Sequence, residues 1–242
     1  MAFREVTRLG GTRSIKQFVR KALVRVIPDE MRRRLVARFP NLPLYPYGRG
    51  AASADFDSAV WEKFYAAEDP YNFATREYER QKYERTLEWI GDGPFERTFE
   101  IGCSVGVFTA MLAPRCQYLL AVDISENAIK QARARTREFP QVTCERRALP
   151  REMPAGPFDL IVCSDTLYYW RPETLREAMR AFEAMLAPGG RLVALHYTGG
   201  AEPDKVMDGH SVHDLLQAEF NLANTFSHEH EKYRLDRFEK PA

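Results

Sequence analysis

The sequence predicts an α/β fold in which a mostly parallel sheet carries helices on both faces. Apolar, strand-like runs alternate with helix-like stretches from residue 98 onward, and polar or glycine-rich residues follow several of these runs. The last two runs lie close together without a helix between them. Alternation is typical of parallel strands joined by helices, whereas two adjacent strands form an antiparallel hairpin.

The strand-like runs are short and apolar, as expected of buried strands. They cover 98–103, 118–122, 142–144, 158–163, 191–196, 220–226 and 233–238. Helical patterns cover 56–67, 76–90, 108–113, 127–139 and 173–186. We therefore expect one seven-stranded sheet whose C-terminal hairpin forms an antiparallel edge.

The charge is distributed unevenly, although the net charge is only +1. Residues 1–50 hold twelve Lys and Arg against three acids, a balance of +9, so the remainder carries −8. Prolines and glycines interrupt regular structure between residues 40 and 50, and small residues follow. We predict two parts: a basic helical extension with its linker at 1–54, and an α/β domain at 55–242.

The extension has apolar residues at helical spacing, largely opposite its basic ones. One interpretation is a basic amphipathic helix that contacts an anionic membrane through residues 13–38. The favoured alternative is a helix whose apolar stripe packs on the chain's own core. A mitochondrial presequence is disfavoured by the scarcity of serine.

Several protein classes are disfavoured by composition. No run of eighteen apolar residues is present, and the start lacks the apolar core of a secretory signal. The four cysteines, which are dispersed without a C-x-x-C pair, favour buried thiols in a reducing compartment. We therefore expect a cytoplasmic protein, with peripheral membrane contact as the open alternative. The oligomeric state is left open.

Four polar side chains lie at or near the carboxyl ends of four different predicted strands: Glu100, Asp123, Asp165 and His196. In an open α/β sheet, ligands bind at the carboxyl ends of the strands. The glycine-rich turn after the first strand has Ser104 where a dinucleotide-binding fingerprint needs glycine, so a pyrophosphate cradle is disfavoured. Asp123 can accept hydrogen bonds from ribose hydroxyls and can also cap the following helix; its place directly after an apolar strand favours the ligand role.

All five histidines lie in the last fifth of the chain. His196 is the candidate general base, with a hydrogen-bonded core histidine as its alternative. His213 begins a short helical stretch that we expect to cover the pocket. His228 and His230 have a spacing that can hold a metal, but no cysteine or carboxylate cluster accompanies them, so no metal site is predicted.

Four motifs resemble class I S-adenosylmethionine-dependent methyltransferases: E-x-G-x-x-x-G at 100–106, the strand-ending Asp123, F-D-L-I-V at 158–162 and L-x-P-G-G at 186–190. Four further motifs resemble the nodulation-type (NodS-like) N-methyltransferases: D-P-Y at 69–71, Y-E-x-x-K-Y at 78–83, F-T-x-M-L-A-P at 108–114 and L-Y-Y at 167–169. Those enzymes methylate the free amine of a deacetylated chitooligosaccharide. The resemblance covers roughly residues 61–190.

The resemblance implies a Rossmann-like fold, S-adenosylmethionine as cofactor and a set of site residues. Expected cofactor-binding residues are Glu100, Gly102, Cys103, Gly106, Asp123, Ile124, Leu149 and Ser164, with Tyr78 and Lys82 as a lid. For Tyr78 and Lys82, an exposed helix face with ordinary charge pairs is the alternative. Expected catalytic residues are His196, Asp165 and Tyr168, and Tyr169 and His213 are expected to contact the substrate.

Two departures from the family pattern stand out. Ser104 replaces a glycine, at a cost of about 1 kcal/mol if its φ is positive. The segment 145–150 lacks the acidic residue that often contacts adenine in this class.

The leading hypothesis is a methyltransferase acting on an amine or hydroxyl of a small, sugar-like acceptor in glycan or lipid-linked glycan biosynthesis. A non-catalytic cofactor-binding module, recruited through the basic extension, is the alternative from another class. A nucleic-acid methyltransferase using the same extension is disfavoured, because no N/D-P-P-Y/F motif follows the fourth strand.

Overall fold

The computed structural model describes residues 58–199 and 205–242, so the extension at 1–54 lies outside the described residues. Its strands are β1 Thr98–Ile101, β2 Leu119–Asp123, β3 Val142–Arg146, β4 Phe158–Ser164, β5 Leu186–Tyr197, β6 Ala223–Glu229 and β7 Tyr233–Glu239. Its helices are α1 Ser58–Phe64, α2 Glu77–Ile90, α3 Val107–Leu112, α4 Glu126–Arg135, α5 Pro172–Met185 and α6 Gly209–Glu219. Short 3₁₀ turns lie at Ala113–Arg115 and Leu167–Tyr169.

The strands form one seven-stranded sheet in the order β3-β2-β1-β4-β5-β7-β6. Strands β1 to β5 are parallel, and β7 is antiparallel to both of its neighbours. The predicted fold, including the C-terminal hairpin, is therefore confirmed. Because β1, β2, β4 and β5 run the same way, their carboxyl ends meet at one edge of the sheet.

Apolar side chains cover both faces of the sheet, which explains the near-continuous apolar strands. On β4, Ile161 and Cys163 belong to the cluster formed with α5 and α6, whereas Leu160 and Val162 belong to the cluster formed with α2 and α3. All four are fully buried. Burying one such aliphatic side chain contributes about 1.5–3 kcal/mol, so these layers hold the strand ends in place.

Two elements are longer than expected. Strand β5 begins at Leu186, before the proline-glycine turn, and its pairing with β4 is irregular there. Helix α6 has eleven residues where only a short helical stretch was expected, and it starts after Asp208, whose carboxylate accepts the Ser211 N–H at 2.8 Å. His228 packs on Trp89 and also lies 6.2 Å from the Tyr233 ring, on which His230 stacks, so both histidine rings contact aromatic neighbours. Within residues 58–199 and 205–242, no helix is long and apolar enough to cross a membrane.

Candidate functional site

The turn between β1 and α3 requires glycine at two positions. Gly102 has φ +73°, and a Cβ there would lie 2.1 Å from Thr166 Oγ1. Gly106 has φ +77°, and a Cβ there would lie within 3 Å of Ala132 in helix α4. Ser104 adopts φ +52°, so the strained conformation anticipated for this serine is present. The turn is thus packed tightly against Thr166 on one side and helix α4 on the other.

Unpartnered polar atoms line this turn. The Glu100 side chain on β1 is 2% exposed, and its Oε2 has no hydrogen-bond partner among the described residues. Burial raises the pKa of Glu100 to about 7. The Ser104 Oγ is also buried without a partner in the described part of the chain. Leaving a buried polar atom unpaired costs about 1–3 kcal/mol, so these atoms fit a turn that binds a polar ligand.

Asp123, at the end of β2, holds the turn in place through a hydrogen bond to its backbone. Its Oδ2 accepts the Ser104 N–H and its Oδ1 accepts the Ser125 N–H, each at 3.0 Å. Burial raises the pKa of Asp123 to about 6. Ser125, not Asp123, caps helix α4, because the Ser125 side chain accepts the Ala128 N–H. The helix-cap interpretation of Asp123 is therefore wrong, and its contact with a ribose stays a prediction.

Helix α1 lies across the same edge of the sheet, which the sequence did not reveal. The Glu62 carboxylate accepts hydrogen bonds from the Ser125 hydroxyl and from the Glu126 and Asn127 N–H groups at the start of α4. One residue earlier, the Trp61 ring meets Tyr169 edge-on, with centroids 4.9 Å apart. The only sequence signal for this arrangement was the apolar spacing of a short helix.

A buried ion-pair network follows β4. The Lys82 ammonium lies 2.7 Å from Asp165 Oδ2 and 2.6 Å from Glu79 Oε2, and the Lys82 side chain is 2% exposed. The alternative of an exposed helix face is therefore wrong for Lys82. Burial lowers the pKa of Lys82, but Asp165, Glu79 and two tyrosines together outweigh it and hold that pKa well above its usual range. Conversely, burial raises the pKa of Asp165, but Lys82 outweighs it and the pKa lies well below its usual range.

The other oxygen of Asp165 accepts hydrogen bonds from two tyrosines. The Tyr168 hydroxyl donates to Oδ1 at 3.1 Å, and the Tyr197 N–H donates to the same oxygen at 2.8 Å. The Lys205 ammonium lies 3.9 Å from the centroid of the Tyr168 ring and 4.9 Å from that of Tyr197. The Tyr78 hydroxyl is buried without a hydrogen-bond partner in residues 58–199 and 205–242. Neither Tyr197 nor Lys205 was identified from the sequence.

His196 and His213 lie beneath the site rather than in it. Both side chains are fully buried, and they contact each other. His196 Nε2 accepts the Leu167 N–H at 3.1 Å, so both of its ring nitrogens are engaged within the chain. This geometry favours the core-histidine alternative for His196, and it leaves no ring atom of His213 exposed to a substrate.

The remaining predicted residues also occupy the sheet edge or the core beside it. Ile124 and Ser164 are half-buried at the ends of β2 and β4. Cys103 and Leu149 are buried, with Leu149 packed in the same apolar cluster as Val122. Their contacts with adenine and the sulfonium side stay predictions.

Comparison with known proteins identifies the family. The family model of nodulation protein S (NodS) matches residues 53–205, more than half of the chain. The chain is 34% identical over 141 residues to nodulation protein S of Bradyrhizobium diazoefficiens, covering 57% of this chain and 68% of that protein. It is 32% identical over 130 residues to nodulation protein S of Sinorhizobium fredii, covering 53% of this chain and 60% of that protein.

A solved structure connects the family to its cofactor. The N-methyltransferase NodS from Bradyrhizobium japonicum WM9, in complex with S-adenosyl-L-homocysteine, has a TM-score of 0.67 and 28% identity. The match covers 76% of this chain and 98% of that chain. The glycine turn and the unpartnered atoms at Glu100 and Ser104 fit the same cofactor. The chain belongs to the NodS family, and it is an S-adenosylmethionine-dependent methyltransferase.

Proposed function

We propose that this enzyme methylates the free amine of a small, sugar-like acceptor in glycan or lipid-linked glycan biosynthesis. The observation that carries the proposal is the ionised Asp165 carboxylate beside the Tyr168 and Tyr197 rings. These rings already hold an ammonium group, that of Lys205. A carboxylate and aromatic faces together favour a cationic or amine ligand over a neutral hydroxyl. The similarity to NodS from Bradyrhizobium japonicum, an N-methyltransferase, supports the same choice.

The chain's contribution to the reaction is mainly orientation. When bound, S-adenosylmethionine supplies a methyl group that its sulfonium makes electrophilic. Asp165 and Tyr168 orient the acceptor nitrogen so that its lone pair forms the new N–C bond while the C–S bond breaks. Orientation of this kind can supply about 7–11 kcal/mol of the barrier.

Proton removal falls to water rather than to a side chain of the site. The low pKa of Asp165 makes it a weak base, and the Nε2 of His196 is occupied by the Leu167 N–H. The acceptor must therefore lose its ammonium proton before it attacks, and the methylated product releases its extra proton to solvent.

The acceptor is tested by comparing a deacetylated chitooligosaccharide with its fully N-acetylated counterpart. We expect S-adenosylhomocysteine formation and one added methyl group, seen by mass spectrometry, only with the free amine.

Asp165→Asn should lower turnover by about a hundredfold or more, with cofactor binding retained. Asp159→Asn, which alters an acid at the opposite end of β4, is the matched control and should stay active. Equal methylation of the acetylated sugar, or none of the free amine, would refute the proposal.

Cofactor affinity should depend on pH through Glu100 and Asp123. We infer that the two carboxylates bind the cofactor in their ionised forms, since the resemblance places the methionine part and ribose there. Their pKa values in the free protein are raised to about 7 and about 6. Binding must then displace a proton at lower pH, so affinity should be highest above pH ~7.5 and fall by up to tenfold per unit below each pKa.

Calorimetric titration with S-adenosylhomocysteine between pH ~5.5 and ~8.5 measures this dependence. Glu100→Gln should remove the upper inflection and leave the lower one. A pH-independent affinity in the wild type would show that neither carboxyl changes its protonation on binding.

A further inference from the structure

A buried hydrogen-bonded chain runs from the loop after β4 across β5 and α6 to β7. The Leu167 N–H donates to His196 Nε2 at 3.1 Å, and His196 Nδ1 lies 3.1 Å from His213 Nε2. His213 Nδ1 lies 2.7 Å from Asp236 Oδ2 on β7. Each of the three side chains is 0% exposed.

The protons on this chain can be assigned from its two ends. A backbone N–H only donates, so His196 Nε2 must be the unprotonated ring nitrogen and Nδ1 must carry the hydrogen. His196 then donates to His213 Nε2, and His213 donates from Nδ1 to the Asp236 carboxylate. Burial lowers the pKa of both histidines, so neither ring is charged near neutral pH.

The end of the chain lies within the acceptor site. Leu167 opens the 3₁₀ turn Leu167–Tyr169, which directly follows Asp165 and carries Tyr168. Asp165 has φ +53°, a conformation that a non-glycine residue holds only when its surroundings impose it. The Leu167 bond to His196 is one of several that hold this loop: the Asp165 N–H donates to the Leu195 carbonyl at 2.8 Å, and the Thr166 hydroxyl donates to the Ile101 carbonyl at 3.2 Å.

Helix α6 connects to the same loop from its other side. His213 belongs to α6, and the segment before that helix returns to the loop, since the Val206 and Met207 N–H groups both contact the Tyr168 carbonyl. The hydrogen-bonded chain therefore connects β7 and α6 to the loop at residues 165–169.

We propose that Asp236, His213 and His196 are positioning residues. Asp236 holds His213, and His213 in turn holds His196, as an Nδ1–H tautomer. His196 Nε2 then accepts the Leu167 N–H and so fixes the acceptor loop. The assignment to the acceptor rests on the proposed function, whereas the tautomers and the Leu167 bond do not. His196 acts here as a hydrogen-bond acceptor for the backbone, not as a base toward the substrate.

The tautomers are tested first on the wild-type enzyme, so that the result does not depend on the folding of a variant. Long-range ¹H–¹⁵N spectra of ¹⁵N-histidine-labelled protein at pH ~7 should show His196 and His213 as neutral Nδ1–H tautomers. An Nε2–H tautomer at either residue would overturn the proposal. In His213→Leu, His196 loses its acceptor, and we expect its tautomer to change and the Leu167 amide to exchange faster with D₂O.

Two substitutions at His196 separate positioning from catalysis. In His196→Gln the amide oxygen can reach the Nε2 position and accept the Leu167 N–H, whereas His196→Leu leaves that N–H unpaired. We expect His196→Gln to retain most of the turnover with a deacetylated chitooligosaccharide and His196→Leu to lose about a hundredfold. The Leu167 amide should stay protected only in His196→Gln. The pair His210→Gln and His210→Leu, at an exposed position of α6, is the matched control and should change neither readout.

Each other outcome has a definite meaning. Equal, large losses in both His196 variants would show a base and overturn the positioning role. Normal turnover in a folded His196→Leu variant would show that the contact does not fix the acceptor loop. If the wild type methylates no amine but shows the predicted tautomers and Leu167 protection, the proposed acceptor is wrong. The hydrogen-bonded chain from Leu167 to Asp236 is then still confirmed.

Discussion

Replacing Asp123 with alanine is expected to weaken S-adenosylhomocysteine binding by about 2–4 kcal/mol, or roughly thirtyfold to a thousandfold. Two effects contribute. The variant loses the carboxylate that we expect to accept hydrogen bonds from the ribose hydroxyls. It also loses the acceptor of the Ser104 and Ser125 N–H groups, which holds the glycine turn against β2. Isothermal titration at pH ~8, where Asp123 is ionised in the wild type, measures the change.

Asp159→Ala provides an unusually close control for this experiment. Asp159 also accepts two backbone N–H groups, those of Glu96 and Arg97, at 2.6 and 3.0 Å, but it does so at the opposite edge of the sheet. Asp159→Ala should lower the melting temperature, as we expect of Asp123→Ala, but it should leave cofactor affinity unchanged. Equal loss of affinity in both variants would mean that the effect of Asp123 is one of stability alone.

The sheet was predictable because its determinants are local. Buried parallel strands are apolar along their whole length, and the residues that follow them fall at one edge whatever the details of packing. This is why Glu100, Asp123 and Asp165 could be placed together from their positions at or near the carboxyl ends of β1, β2 and β4. The turn at Gly102 and Gly106 was equally predictable. Its positive φ angles and close approaches require glycine, and glycine is recognisable in the sequence.

The partners of these residues were not predictable, because they come from elements that are distant in sequence. Glu62 reaches Asn127 across 65 positions, and Lys82 reaches Asp165 across 83. The role of His196 illustrates the same limit. Its place at the end of β5 suggested a base, whereas its environment depends on Leu167, His213 and, through His213, Asp236. No sequence pattern joins these residues, since only the packing of α6 against the sheet brings them together.

Lys82→Met should produce the largest loss of stability of any variant considered, about 3–5 kcal/mol at pH ~8. Methionine fills a similar volume but leaves two carboxylates, Glu79 and Asp165, in a buried site without their shared cation. Removing one member of a buried ion pair is costly because the remaining charge stays desolvated. Urea denaturation of the wild type and the variant, at several pH values, measures the difference.

The pH dependence of that loss identifies its cause. In the wild type, the depressed pKa of Asp165 contributes stability that is present above the unfolded value near 3.8 and is lost as pH falls through the folded one. In Lys82→Met the two carboxyls should have raised pKa values, so the penalty is greatest at high pH and shrinks as they take up protons toward pH ~5.

Adding Glu79→Gln and Asp165→Asn should restore stability at pH ~8, since an uncharged cluster no longer needs the ammonium. Arg80→Met, which removes an exposed cation paired with Glu77 and Glu84 on the same helix, should barely change the melting temperature. A pH-independent loss in Lys82→Met, unrelieved by the two amide substitutions, would instead mean that the lysine stabilises α2 through packing of its aliphatic stem.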